Sequence, residues 1–106
     1  VNSAIKQIAS EKNVSFWDVH HICDAIGNTG EDQSSYIRKM VNSNMTDGIH
    51  PTPDGYRAIA IAVYKSIINN KLPHKSVVCF GDSITKGDGS IEGKSYPAYL
   101  KKLLAD

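Results

Sequence analysis

Three side chains in this sequence have the types and spacing that nucleophilic hydrolysis requires. Gly81-Asp82-Ser83-Ile84 follows the apolar run Val77-Val78-Cys79-Phe80 and puts a serine hydroxyl on a sharp turn into a helix. Upstream, Asp47-Gly48-Ile49-His50 supplies a carboxylate and an imidazole three residues apart. A serine hydroxyl is a poor nucleophile at neutral pH and needs a base to take its proton as it attacks a carbonyl. His50 can be that base, with Asp47 holding the imidazole in the right tautomer and stabilising the imidazolium. The backbone N–H of Ser83, at the start of a helix, is placed to donate to the developing oxyanion. The chemistry implied is acyl transfer to water through a covalent acyl-enzyme.

Positioning these groups falls to a short alternation of elements. Ala4, Ile5, Ile8 and Ala9 recur at helical spacing, with Lys6, Gln7, Glu11 and Lys12 on the other side, and predict an amphipathic helix. Val14 to Val19, rich in β-branched and aromatic residues, reads as a strand, with Trp17 in the core. Gly27 to Asp32 is turn chemistry. Beyond it Tyr36, Ile37, Met40 and Val41 line a short helix capped by Ser34 or Ser35, and Asn42 to Asp47 reads as loop.

Pro51-Thr52-Pro53-Asp54 is a helix start: Thr52 the N-cap, Pro53 the first helical residue, and Asp54 favourable to the helix dipole. Its core stripe is Tyr56, Ile59, Ala60, Val63 and Ile67. Ile61, Tyr64 and Ile68 make a second apolar side, which predicts deep burial or more than one neighbour. The helix ends near Asn69-Asn70, and Lys71 to Lys75 is as short as the loops of about 2–6 residues that join helix to strand within one domain. Val77 to Phe80 is the second strand, Gly87 to Ser90 a loop, and Pro97, Tyr99, Leu100, Leu103 and Leu104 mark a last helix beginning near Ser95 or Tyr96. Helix, strand, helix, strand, helix argues for an α/β fold with parallel or mixed strands.

Composition narrows the partners. The chain has 106 residues, enough for one modest core. Its 12 Lys+Arg against 11 Asp+Glu, with no basic block, leaves out the electrostatic footprint of a nucleic-acid binder. No apolar stretch approaches the roughly 20 residues of a membrane span, and no signal-peptide pattern opens the chain, so the compartment is left open and a secreted parent is allowed. His20-His21-x-Cys23 lacks the paired spacing of a zinc site, and neither metal nor cofactor is expected. The two cysteines, Cys23 and Cys79, permit one disulfide, while Cys79 within an apolar run reads as a buried thiol. Asn13-Val14-Ser15 and Asn44-Met45-Thr46 fit the glycosylation pattern.

Taken together, the two blocks resemble the SGNH/GDSL hydrolase family of esterases and lipases. Val77 to Thr85, with Gly87 beyond, is similar to that family's nucleophile block; Asp47-Gly48-Ile49-His50-Pro51 followed by Gly55-Tyr56 is similar to its terminal block. The resemblance implies a partial flavodoxin-like three-layer α/β fold with parallel strands and flanking helices. It also implies a serine ester hydrolase acting on acyl or acetyl esters, of carbohydrates or lipids among others, with Ser83 as nucleophile, His50 as general base and Asp47 as third member.

The family's order is reversed here and its central blocks are missing. Residues 1–70 correspond to the C-terminal part of such a domain, 71–75 to a short connection and 76–106 to the N-terminal part, as in a permuted or truncated form, a tandem-domain junction or an excised piece. The family's glycine and asparagine oxyanion donors have no match: Gly27-Asn28-Thr29-Gly30 lacks their spacing. Two strands without central ones leave sheet faces uncovered, which points to a homo-oligomer or a complementary chain. The competing class is a non-catalytic, self-assembling α/β module in which Ser83 caps a helix and His50 is a loop residue.

Overall fold

The computed structural model describes residues 1–19, 21, 33–44, 46–90 and 92–105. The expected turn at Gly27 to Asp32 lies outside them. Among the described residues the helices, in chain order, are α1 (Asn2–Glu11), α2 (Met40–Ser43), α3 (Pro53–Asn69), α4 (Ser83–Lys86) and α5 (Tyr96–Leu104). The α/β expectation is corrected. Among the described residues there is no sheet, and the sole β feature is an isolated antiparallel bridge between Ile37 and Pro51.

The reason lies in where each element finds its hydrogen bonds. A helix closes its own, four residues apart, whereas a strand must find a neighbour. Val14 to Val19 and Val77 to Phe80 are the two runs expected as strands, and neither forms a ladder. Two isolated strands make a marginal sheet at best. Here the second run stays unpaired, with Val78 85% and Phe80 97% exposed.

The long helix forms as its sequence demands. Thr52 caps α3 by accepting from the Gly55 N–H at 3.1 Å, and Pro53 occupies the first turn, where its missing N–H costs nothing. Tyr56, Ala58, Ala60, Ala62 and Ile67 of α3 are buried. Its principal partner is α5, capped by Ser95, which accepts from the Ala98 N–H at 3.3 Å. Ala60, Ile67 and Leu100 form the centre of the core, and Trp17, Tyr64, Leu72, Cys79 and Tyr96 pack around it. Ala60 of α3 meets Leu100 of α5 in this core, and the partly buried Trp17, Tyr64, Tyr96 and Tyr99 rings pack against them.

Other expectations meet a different outcome. The amphipathic N-terminal helix forms, but none of its residues is buried: Ile5 and Ile8 are 48% and 56% exposed. The helix expected from Ser34 or Ser35 starts later, at Met40, with Lys39 as N-cap, and takes in Asn42 and Ser43. Asn42 explains the shift, because its side-chain oxygen accepts from the Lys39 N–H at 2.9 Å while its amide donates to the carbonyls of Ser35 and Ile37. That amide ties down residues 35–37 outside the helix. Ser35, buried, uses its hydroxyl to accept from the Ile37 N–H at 3.2 Å.

Candidate functional site

Asp47 sits in a loop clamped from one side by the chain at Tyr36 to Arg38. The Arg38 N–H donates to the His50 carbonyl at 2.9 Å, the Gly48 N–H to the Arg38 carbonyl at 2.9 Å, and the Thr52 N–H to the Tyr36 carbonyl at 2.8 Å. Gly48 supports the reversal with φ +75°, a conformation that side-chain-bearing residues rarely adopt. Within the loop Asp47 Oδ1 accepts from the N–H groups of Ile49 at 2.9 Å and His50 at 3.0 Å. These bonds, that from His50 foremost, hold the Asp47 carboxyl below its ordinary value, against the opposing effect of burial.

His50 is 24% exposed and touches both other residues of interest. Its Nδ1 lies 3.2 Å from each Asp47 carboxylate oxygen. An ionised carboxylate can only accept, so Nδ1 carries the proton. That leaves the Nε2 lone pair to accept from the Ser83 hydroxyl, whose Oγ is 2.9 Å away.

Ser83 comes from the other end of the chain on a tight turn. Asp82 is the N-cap of α4, accepting from the Ile84 N–H at 2.9 Å, and Ser83 is the first helical residue. At that position its own N–H has no intrahelical acceptor. Gly81 is required just before: a Cβ there would collide with the Thr85 hydroxyl, which folds over the turn. Thr85 Oγ1 and the Tyr96 hydroxyl lie 3.1 Å apart and tie α4 to α5, while burial pushes the Tyr96 phenol above its ordinary value. Gly87, in the left-handed region at φ +96°, closes α4.

Two residues that sequence reasoning assigned no site role reinforce this arrangement. The Arg38 guanidinium donates from Nη1 to Asp47 Oδ2 at 3.2 Å. Tyr56, fully buried on α3, donates its hydroxyl to the Asp88 carbonyl at 2.5 Å and so fastens the segment after Ser83 to the long helix. Its phenol is raised above the ordinary value, first by burial and then by the Asp88 charge. Arg38 stands nine residues before Asp47 in no motif, and Tyr56 read as a core residue; neither carried a site signal.

Donors beyond the Ser83 N–H are not found at the serine among the described residues. Asn42 is occupied by its own segment, and Gly27-Asn28-Thr29-Gly30 lies outside the described residues. A cavity of about 890 Å³ runs beside Val77, Phe80, Gly81, Pro97 and Leu104, and neither Ser83 nor His50 lines it. No group of three or more metal-ligating side chains occurs among the described residues; of the His20-His21-x-Cys23 trio, His21 alone is described, and it is exposed. Cys79 carries a free thiol and is half-buried. Among the described residues no helix is long and apolar enough to cross a membrane.

The model of the GDSL-like lipase/acylhydrolase family matches residues 1–63, a stretch that contains Asp47, His50 and the Gly55-Tyr56 pair and ends before Ser83. No curated protein and no solved structure gives a significant match. Since the matched stretch is more than half of the chain, the protein belongs to the GDSL-like lipase/acylhydrolase family of hydrolases.

Proposed function

We propose that this chain carries the catalytic residues of a serine ester hydrolase: Ser83 as nucleophile, His50 as general base and Asp47 as the group that orients it. The observation that supports this most is the pair of contacts made by His50, to Asp47 on one ring nitrogen and to Ser83, 33 residues away, on the other. A surface histidine in a loop has no reason to bridge two such distant groups with the polarity that proton abstraction needs.

In the proposed reaction Ser83 Oγ attacks the ester carbonyl carbon while its proton passes to His50 Nε2. The carbonyl π pair moves to oxygen, where the Ser83 N–H donates to it. Collapse expels the alcohol, which takes the proton from His50, and leaves an acyl-serine. Water then repeats the sequence: its proton goes to His50, its oxygen bonds to the acyl carbon, and the acid departs as the proton returns to Ser83. Asp47 stays ionised throughout and stabilises the imidazolium. The substrate class is an acyl or acetyl ester, of carbohydrate or lipid alcohols. In this reading residues 1–70 supply the orienting acid and base, 71–75 connect, and 76–106 supply the nucleophile, corresponding to the terminal and initial parts of the family's domain.

A second reading is favoured by the lack of further oxyanion donors among the described residues and by the exposed Val78 and Phe80: a non-catalytic module that assembles with a second chain through the run Val77 to Phe80. Labelling by a fluorophosphonate separates the two. The catalytic reading expects stoichiometric labelling that vanishes in Ser83→Ala; labelling that does not depend on Ser83, or none, refutes it. With the Ser83 N–H the sole oxyanion donor among the described residues, ester turnover should fall short of a complete site by about 100- to 1000-fold per missing donor.

A further inference from the structure

Arg38 touches the site through both its backbone and its side chain. Its backbone brackets the Asp47–His50 loop, accepting from the Gly48 N–H and donating to the His50 carbonyl, both at 2.9 Å. Its guanidinium, 16% exposed, bonds Asp47 Oδ2 at 3.2 Å. The same side chain lies flat over Gly89: a Cβ built there would stand 2.6 Å from Arg38 Cδ and 2.9 Å from Cζ. Gly89 follows α4 and its Gly87 cap, six residues beyond Ser83. One side chain therefore spans the loop that bears the acid and base and the loop that follows the nucleophile.

We propose that Arg38 is a positioning residue for the Asp47, His50 and Ser83 constellation, an inference that rests on the catalytic reading of those three. Among the described residues Asp47 Oδ2 meets Arg38 Nη1, Oδ1 accepts from the Ile49 and His50 N–H groups, and His50 Nδ1 lies 3.2 Å from both oxygens. The backbone bonds fix one carboxylate oxygen, and the imidazole, shared between both oxygens, does not by itself fix the rotation of the other. Arg38 removes that freedom by pinning the other oxygen, so the carboxylate stays facing Nδ1. Seating the guanidinium on Gly89 extends the restraint to the serine side, since the chain between Ser83 and Gly89 is short and capped. Glycine at 89 is needed for this seat, and its φ of +86° suits the residue.

The test uses the full chain with Arg38→Met, which keeps the length of the stem and removes the fork and charge, and Arg38→Lys, which keeps the charge without the fork. Two readouts are taken: the downfield proton resonance of His50 Nδ1, assigned by its absence in His50→Gln, and the rate of fluorophosphonate labelling at Ser83. Arg38→Met should broaden or abolish the resonance and slow labelling about 10- to 100-fold, the cost of a small displacement of a catalytic group. Arg38→Lys should restore part of both. A resonance and a labelling rate within twofold of the parent in Arg38→Met would overturn the proposal. If Arg38→Met does not fold by circular dichroism, Arg38→Lys decides: parent-like values for both readouts overturn it, and a weakened resonance upholds it. Loss of the resonance in a chain whose parent is never labelled upholds the role of Arg38 and refutes the catalytic reading. Labelling at Ser83 in the parent with an unmoved resonance in Arg38→Met does the reverse.

Discussion

Replacing Asp47 with asparagine tests the proton arrangement at the site with almost no change in shape. Asp47 receives hydrogen bonds from the Ile49 and His50 N–H groups on Oδ1, the Arg38 guanidinium on Oδ2, and the His50 imidazole shared between the two oxygens. In Asp47→Asn the side-chain carbonyl keeps the two backbone bonds, because only an oxygen can accept from those N–H groups. The amide nitrogen then replaces Oδ2 and presents protons where both Arg38 and the imidazole had been donating. His50 answers by turning its Nδ1 into an acceptor, which moves the ring proton to Nε2. A protonated Nε2, 2.9 Å from Ser83 Oγ, can donate to the hydroxyl but cannot take its proton. Loss of the correct tautomer costs about 10⁴-fold in the catalytic step of a serine triad, and the opposed Arg38 adds to it. The assay is the second-order rate of fluorophosphonate labelling at Ser83, with folding monitored by far-ultraviolet circular dichroism. A folded Asp47→Asn chain that labels within tenfold of the parent would refute the assignment of the proton to Nδ1 and with it the role of Asp47.

Three further outcomes follow from the packing and the charges. Because the Asp47 carboxyl is held below its ordinary 3.8, its contribution to stability is complete above that value and is lost as pH falls through the lowered folded value; denaturant titrations between about pH 5 and 2 should show the parent losing more stability than Asp47→Asn, and parallel losses would count against it. Tyr56→Phe leaves the Asp88 carbonyl without its donor and should cost about 1–2 kcal/mol in urea unfolding, with slower labelling at Ser83; an unchanged midpoint would mean that the tether is not formed in solution. Leu100→Ala empties the centre of the α3 and α5 interface and should cost about 2–5 kcal/mol, whereas Ile8→Ala on exposed α1 should stay within about 0.5 kcal/mol. Comparable losses from the two substitutions would overturn the placement of the core.

What the sequence disclosed depended on how local the determining interactions were. The start of α3 was legible because Thr52, Pro53 and Gly55 settle it within four residues. The Ser83 turn was legible for the same reason: Gly81 and Asp82 act on atoms no further than Thr85. The contact between His50 and Ser83 was expected from residue type and family resemblance alone, since nothing in the spacing of two residues 33 apart specifies 2.9 Å. The strands failed as expectations because Val77 to Phe80 has the composition of a buried strand, and composition does not reveal whether a neighbour exists to receive its hydrogen bonds. The helix at Tyr36 was misplaced because periodicity gave no hint that the Asn42 amide would claim the carbonyls of Ser35 and Ile37. Arg38 was invisible as a site residue because its partner stands nine positions away across a loop reversal that only the folded chain creates.

The stretch from Lys71 to Ser76 is exposed apart from Leu72, and the groups that meet at Ser83 reach it from the far side of that stretch. Contact between the two sides runs through the α3 and α5 interface, the Tyr56 bond to Asp88, the Arg38 seat on Gly89 and His50 itself. The peptide link therefore sets how often the halves meet, while complementary surfaces set where they stop. After a protease nick at Lys71 or Lys75, only these noncovalent contacts would hold the piece with Asp47 and His50 to the piece with Ser83.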